Sequence, residues 1–289
     1  AGTGIKEIER LLRLEQQGKD LILHITPQEL DFGITLDCGQ CFRFSRISGT
    51  VTRGIVQGRL LELEQQPGWV RIKDMDEMEF RRDWVPYFAL DTDYAAIHAA
   101  FAEDDTLRQA VGYAPGIRVL RQDRFETLIS FLISQNNNIP RIKGSIERLC
   151  RKWGEELGEG IYGFPTAERL ASCGLPGLSK LGLGYRDGYL LDCAQQVAAG
   201  KLDLDAVSRM ELPAAREELR KIKGVGPKVA ECVLLFGFGQ MAAFPVDTWI
   251  KKVLARYYPA GFPARLASHA GIAQQYLFYY IRSQEKGAS

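Results

Sequence analysis

At 289 residues the chain can bury one large core or divide into two or three domains. Its 37 Lys and Arg nearly cancel its 36 Asp and Glu, so the net charge of +1 does not by itself announce a nucleic-acid partner. No apolar run reaches the roughly eighteen residues of a transmembrane helix, which argues against a membrane span.

The start Ala1-Gly2 is followed by no recognisable secretory signal. The expected location is therefore cytoplasmic or nucleoid in a bacterium and nuclear in a eukaryote, not secreted. Residues from about 19 to 75 alternate apolar and polar and turn often. Leu21-Ile25, Val51-Val56, Leu60-Glu64 and Trp69-Ile72 read as strands of an antiparallel sheet. Within this region Cys38-Gly39-Gln40-Cys41 has C-x-x-C spacing but no second Cys/His pair at metal distance, so no metal and no cofactor are expected. The six cysteines are expected to be reduced thiols.

From about residue 76 the apolar spacing becomes helical, as in Phe125-Leu128-Ile129-Leu132, Ile142-Ile146-Leu149 and Tyr189-Leu190-Cys193-Val197. The fold class is α+β. An antiparallel sheet domain with flanking helices is expected over 1–110 and a large helical domain over 111–289. Residues 111–289 hold 24 basic against 17 acidic residues, a local surplus hidden in the total. Between Leu219 and Arg256 the only acids are Glu231 and Asp247, against seven Lys and Arg. Such a basic face suits phosphate contact.

The most informative string is Leu219 to Ala230. An amphipathic helix ends at Gly224-Val225-Gly226, and Pro227 then suits the first position of a second helix. Unpaired amides at that helix start, around Gly224, Gly226 and Val229, form a ready phosphate site. Lys228 stands in the same first turn. A positive potential and partial burial there would favour its neutral amine, which can attack carbon. Nineteen positions later, in the loop 244–249, Asp247 precedes a helix-like stretch from Thr248. It is placed to cap that helix and to stabilise positive charge developing on a sugar. Each residue alone has a plain structural reading: a turn glycine, a surface lysine, a helix cap. The chemistry rests on their joint spacing.

This string resembles the helix-hairpin-helix and Gly-Pro-Asp signature of the DNA glycosylase superfamily, and most of the chain resembles the 8-oxoguanine DNA glycosylase family within it. Four further stretches carry the resemblance: Gly39-Gln40-Cys41-Phe42-Arg43-Phe44, Ser134 to Ile142, Leu181 to Arg186, and Gly271 to Phe278. It implies a base-excision-repair enzyme that flips 8-oxoguanine out of duplex DNA. Gly39 would offer its carbonyl to the N7–H that guanine lacks. Gln274 would bond the Watson–Crick edge, and Phe278 and Cys232 would sandwich the base. Asn136 would fill the vacated space and Tyr185 would wedge beside the opposite base. Arg141 and Arg186 would donate to that base, which the family prefers to be cytosine.

The resemblance also implies a mechanism. Asp247 stabilises charge at C1′, the Lys228 amine attacks and forms a Schiff base, and β-elimination nicks the strand. Trp249 departs from the family, whose eukaryotic members place a phosphate-contacting histidine there; an indole N–H still donates but carries no charge. Some superfamily members hold an iron–sulfur cluster on cysteines after the aspartate. No cysteine follows Cys232, so that cluster is not expected. Two alternatives stand beside this reading: an alkylated-base glycosylase of the same superfamily, which normally lacks the lysine, and a non-catalytic hairpin DNA-binding module. The expected partner is duplex DNA carrying an oxidised purine. No protein partner is inferable, and a monomer is the default.

Overall fold

A computed structural model describes residues 12–288; the N-terminal stretch read for a secretory signal lies outside the described residues. Strands β1 (Leu14–Gln17), β2 (Asp20–Leu23), β3 (Phe44–Arg46), β4 (Val51–Val56), β5 (Arg59–Gln65) and β6 (Val70–Ile72) form one antiparallel sheet in the order β1-β2-β6-β5-β4-β3. β2, β4, β5 and β6 lie where the alternation predicts them. Leu21, Leu23, Leu61, Leu63, Val70 and Ile72 are each at most 1% exposed. Burying each stabilises the sheet by about 1.5–3 kcal/mol. The aromatic cover includes Phe32, Phe80, Trp84 and Phe88, with Phe32 and Phe88 edge-to-face at 5.0 Å. β1 and β3 were not foreseen. β1 is the polar run Leu-Glu-Gln-Gln with three exposed residues, and in β3 only Phe44 is buried.

Beyond the sheet the chain is helical, except for a small hairpin of Glu156–Gly158 with Ile161–Tyr162. The α+β class therefore holds. The helix Arg124–Ser134 runs through the second core, with Thr127 to Ile133 buried without a break. A helix apolar on every side must be surrounded. Beside it lies the helix Pro227–Gly237, joined by the stacked rings of Phe131 and Phe236 at 5.5 Å. This core also takes Tyr94, Ile97, Phe101, Leu107 and Ala110.

The loop 38–44 is the seam between the two cores. Cys38 and Phe42 enter the helical core, while Cys41 and Phe44 enter the sheet core. Gln40, fully buried between them, donates to the carbonyls of Thr35 (3.0 Å) and Arg118 (2.8 Å). Its Oε1 accepts from the Leu120 amide at 2.9 Å, and its own carbonyl accepts from Gln122 at 2.6 Å. The neighbouring Gly39 is thereby held in a left-handed conformation, φ 85°.

Candidate active site and DNA-facing surface

The helices Leu212–Arg220 and Pro227–Gly237 form the expected hairpin. Gly224 at its turn has φ 86°, and a Cβ there would lie 2.7 Å from the Tyr189 ring, so only glycine fits. The turn's backbone bonds stop at Val225 N–H to Ile222 O and resume at Ala230 N–H to Gly226 O. The amides between, including Gly226, Lys228 and Val229, face out of a helix start without backbone acceptors among the described residues.

Lys228 is exposed, which corrects the expectation of partial burial. No hydrogen bond or ion pair among the described residues engages its amine. Asp247 caps the helix Thr248–Tyr257, accepting the Ile250 amide at 2.8 Å, as its position predicts. Between them in the chain lies Cys232, on the Lys228 helix and 4% exposed. Burial pushes the Cys232 thiol up to about 12; the Lys228 ammonium pulls it back and the Asp247 carboxylate opposes that pull. Both charges therefore act at one sulfur, which itself stays a neutral thiol and no competing nucleophile.

The C-terminal helix Ala270–Gly287 brings the remaining pocket residues. Gly271 lets it sit on the 241–243 segment, with Gly271 N–H donating to Met241 O at 2.8 Å. Gln274 is 4% exposed, and its Oε1 accepts from Gln275 Nε2 at 2.7 Å. Phe278, on the same helix face, is half-buried under the Arg282 guanidinium. A Cβ on Gly39 would lie 3.9 Å from the Phe278 ring. The sheet-domain glycine and the C-terminal phenylalanine are thus close neighbours.

A chain of ring and polar contacts links the hairpin to the other DNA-side residues. Tyr189, against Gly224, lies edge-to-face with Tyr185 at 6.1 Å. The Tyr185 hydroxyl accepts from Asn136 Nδ2 at 3.3 Å. Tyr185 is 54% exposed, and Asn136 is also exposed, in a left-handed conformation with φ 48°. Arg141 is exposed, and its backbone N–H donates to Asn138, the cap of the helix Ile139–Trp153; Pro140 fits in that first turn. Trp249 is half-buried with the Lys252 ammonium 4.8 Å from its ring centre.

Arg186 differs from Arg141 in being buried. It is 6% exposed, and its guanidinium donates to the carbonyls of Gln135 (2.7 Å), Asn136 (2.9 Å) and Leu183 (3.3 Å). It thereby clamps the Asn136 loop, its planar fork satisfying carbonyls that the loop leaves unpaired in the backbone. Two further residues were missed. Glu231 accepts the Phe244 N–H at 2.9 Å and pairs with Arg216, tying the lysine helix to the Asp247 loop and the first hairpin helix. Its only sequence signal was an acid three residues after Lys228 in a basic stretch. Gln275 gave none.

The comparisons agree with this fold. Residues 22–128 match the family model of the 8-oxoguanine DNA glycosylase N-terminal domain, and residues 129–264 match that of the HhH-GPD superfamily base excision DNA repair proteins. A probable N-glycosylase/DNA lyase of Methanothermobacter thermautotrophicus is 31% identical over 225 residues, 69% of this chain and 72% of its own length. An N-glycosylase/DNA lyase of Arabidopsis thaliana is 29% identical over 280 residues, 89% of this chain and 75% of its own. Among solved structures, the Clostridium acetobutylicum 8-oxoguanine glycosylase/lyase, in complex with duplex DNA containing cytosine opposite 8-oxoguanine, superposes with a TM-score of 0.88 at 35% identity, covering 94% of this chain and 98% of that one. The fold and hairpin define a base-excision DNA glycosylase of the helix-hairpin-helix superfamily. Within that superfamily the chain belongs to the 8-oxoguanine DNA glycosylase family.

Proposed function

We propose that this protein binds duplex DNA, flips out 8-oxoguanine, cleaves its N-glycosidic bond and nicks the strand through a lysine Schiff base. One observation carries the reading. The unengaged Lys228 amine and the capped Asp247 carboxylate both act on Cys232, while Gly39, Gln274 and Phe278 gather on the C-terminal helix side. The hairpin amides position a phosphate and carry no sequence information. The extruded base enters between Phe278 and Cys232, with Gly39 O accepting its N7–H. Unoxidised guanine would set an acceptor against that carbonyl, at a cost of roughly 1–3 kcal/mol.

As the glycosidic bond breaks and its electrons leave with the base, Asp247 stabilises the positive charge growing at C1′. The Lys228 amine then bonds to C1′, loses a proton, and the sugar ring opens to the Schiff base. Loss of a C2′ proton expels the 3′ phosphate by β-elimination. Because Lys228 is exposed in the free protein, its desolvation comes from the bound DNA. Asn136 fills the vacated space, Tyr185 wedges beside the opposite base, and Arg141 and Arg186 donate to that base. Trp249 offers its indole N–H to phosphate. We assign the protein to a DNA-containing compartment, acting as a monomer with a division near residue 110. Among the described residues no helix is long and apolar enough to cross a membrane.

The test is incubation with duplexes bearing 8-oxoguanine, 3-methyladenine or no lesion, scoring nicking and borohydride-trapped adduct. Nicking and trapping are expected with 8-oxoguanine, and Lys228→Gln should abolish the adduct. Trapping that survives Lys228→Gln removes the nucleophile assignment, and selective release of 3-methyladenine without nicking favours the alkylated-base alternative.

A further inference from the structure

Gln274 and Gln275 are 4% and 3% exposed, and their amides meet although adjacent residues on a helix do not normally face each other. Gln275 Nε2 donates to Gln274 Oε1 at 2.7 Å. Gln275 Oε1 in turn accepts from the Cys38 thiol at 3.5 Å. That thiol is 1% exposed and shares its proton with Thr35 O at 3.4 Å. Its sulfur accepts from Gln40 Nε2 at 3.6 Å. Burial pushes the Cys38 thiol up to about 12, so it remains an S–H donor at neutral pH. Every link runs in one direction, from Gln40 through Cys38 and Gln275 to the Gln274 carbonyl oxygen. Reversing the Gln274 amide would set N–H against N–H in a buried contact, leaving donors without acceptors.

Resting on the base-binding role given to Gln274 above, we propose that Gln275, anchored by Cys38, is a positioning residue that fixes the sense of the Gln274 amide and so selects a guanine-type over an adenine-type edge. The two edges are opposites. Guanine presents an acceptor at O6 and a donor at N1, whereas adenine presents a donor at N6 and an acceptor at N1. An amide held one way complements only one of them, and an amide free to flip complements both. A site whose polar groups have fixed sense rejects the mismatched edge because buried groups are then left unpaired.

8-Oxoguanine and 8-oxoadenine isolate this effect, since both carry N7–H and O8 and so meet Gly39 alike. Single-turnover excision is measured on duplexes bearing each lesion, for the unmodified protein, Gln275→Leu, Cys38→Ala and Cys38→Ser. The ratio of 8-oxoguanine to 8-oxoadenine excision should fall about tenfold in Gln275→Leu, and less in Cys38→Ala, with Cys38→Ser restoring it. An unchanged ratio in a Gln275→Leu protein that still excises 8-oxoguanine overturns the proposal. Should Gln275→Leu fail to fold, the Cys38→Ala and Cys38→Ser pair decides on the same two outcomes. Absence of 8-oxoguanine nicking by the unmodified protein instead overturns the functional reading beneath it.

Discussion

The Glu231 carboxylate accepts the Phe244 N–H at 2.9 Å, so the helix that presents Lys228 also holds the loop that delivers Asp247. Glu231→Ala leaves that amide unpaired and frees Arg216. Stability should fall by roughly 1–3 kcal/mol. Excision should fall further than stability explains, because the carboxylate loses its fixed distance from the amine. Thermal melting and single-turnover excision at a temperature where both proteins are folded check this. Excision equal to that of the unmodified protein would show that the tie is structural only.

Asp247 has two tasks that substitution can separate. Its Oδ1 caps a helix, and in the proposed mechanism its charge stabilises the sugar at C1′. Asp247→Asn keeps a side-chain acceptor for Ile250 N–H and should melt within about 0.5 kcal/mol of the unmodified protein, whereas Asp247→Ala should lose about 1 kcal/mol. Both should lose base excision by about 10²–10³-fold, since both lack the charge. Excision by Asp247→Asn near the unmodified rate would reduce the residue to a cap.

Arg186 should behave as a buried clamp. Arg186→Ala strands the carbonyls of Gln135, Asn136 and Leu183, and should lower stability by about 2–4 kcal/mol. Lysine lacks the planar fork and should recover little of the loss. Melting curves taken without DNA read this directly. An Arg186→Ala protein as stable as the original would show that the clamp contributes nothing to the fold.

Glu126 sets a pH dependence. Burial raises its carboxyl to about 7, with Arg43 drawing it back and Asp123 and Glu147 pushing it up. An unfolded glutamate titrates near about 4.3. The folded state therefore binds the extra proton between those values, and stability falls as pH rises through that window. Glu126→Gln, which stays neutral, should exceed the unmodified protein in stability by about 1–3 kcal/mol above pH 7 and match it near pH 4. Equal melting temperatures at pH 8 would contradict this.

Legibility followed the range of the interaction. The hairpin, the Asp247 cap and the strands β2, β4, β5 and β6 were readable because glycine pairs, cap residues and alternation act over a few positions. β1 was missed because its polar residues carry no alternation, and β3 because three residues hold too little pattern. The burial of Arg186 was not legible because it comes from the Gln135–Asn136 loop, some fifty residues earlier in the chain. The Cys38–Gln275 link spans 237 positions, and no local pattern encodes it. Lys228 shows the converse. Its place in the first helical turn was plain, but its exposure depends on what packs nearby.

Gln40 joins the two cores through uncharged bonds alone, those of its own side chain buried from solvent. Attraction between basic side chains and DNA phosphates weakens steeply with ionic strength. The Gln40 bonds have no such dependence. Changing salt should alter how often the protein meets a lesion while leaving the alignment of Gly39 opposite Phe278 untouched, so search and inspection are governed by separate physical variables in one small molecule.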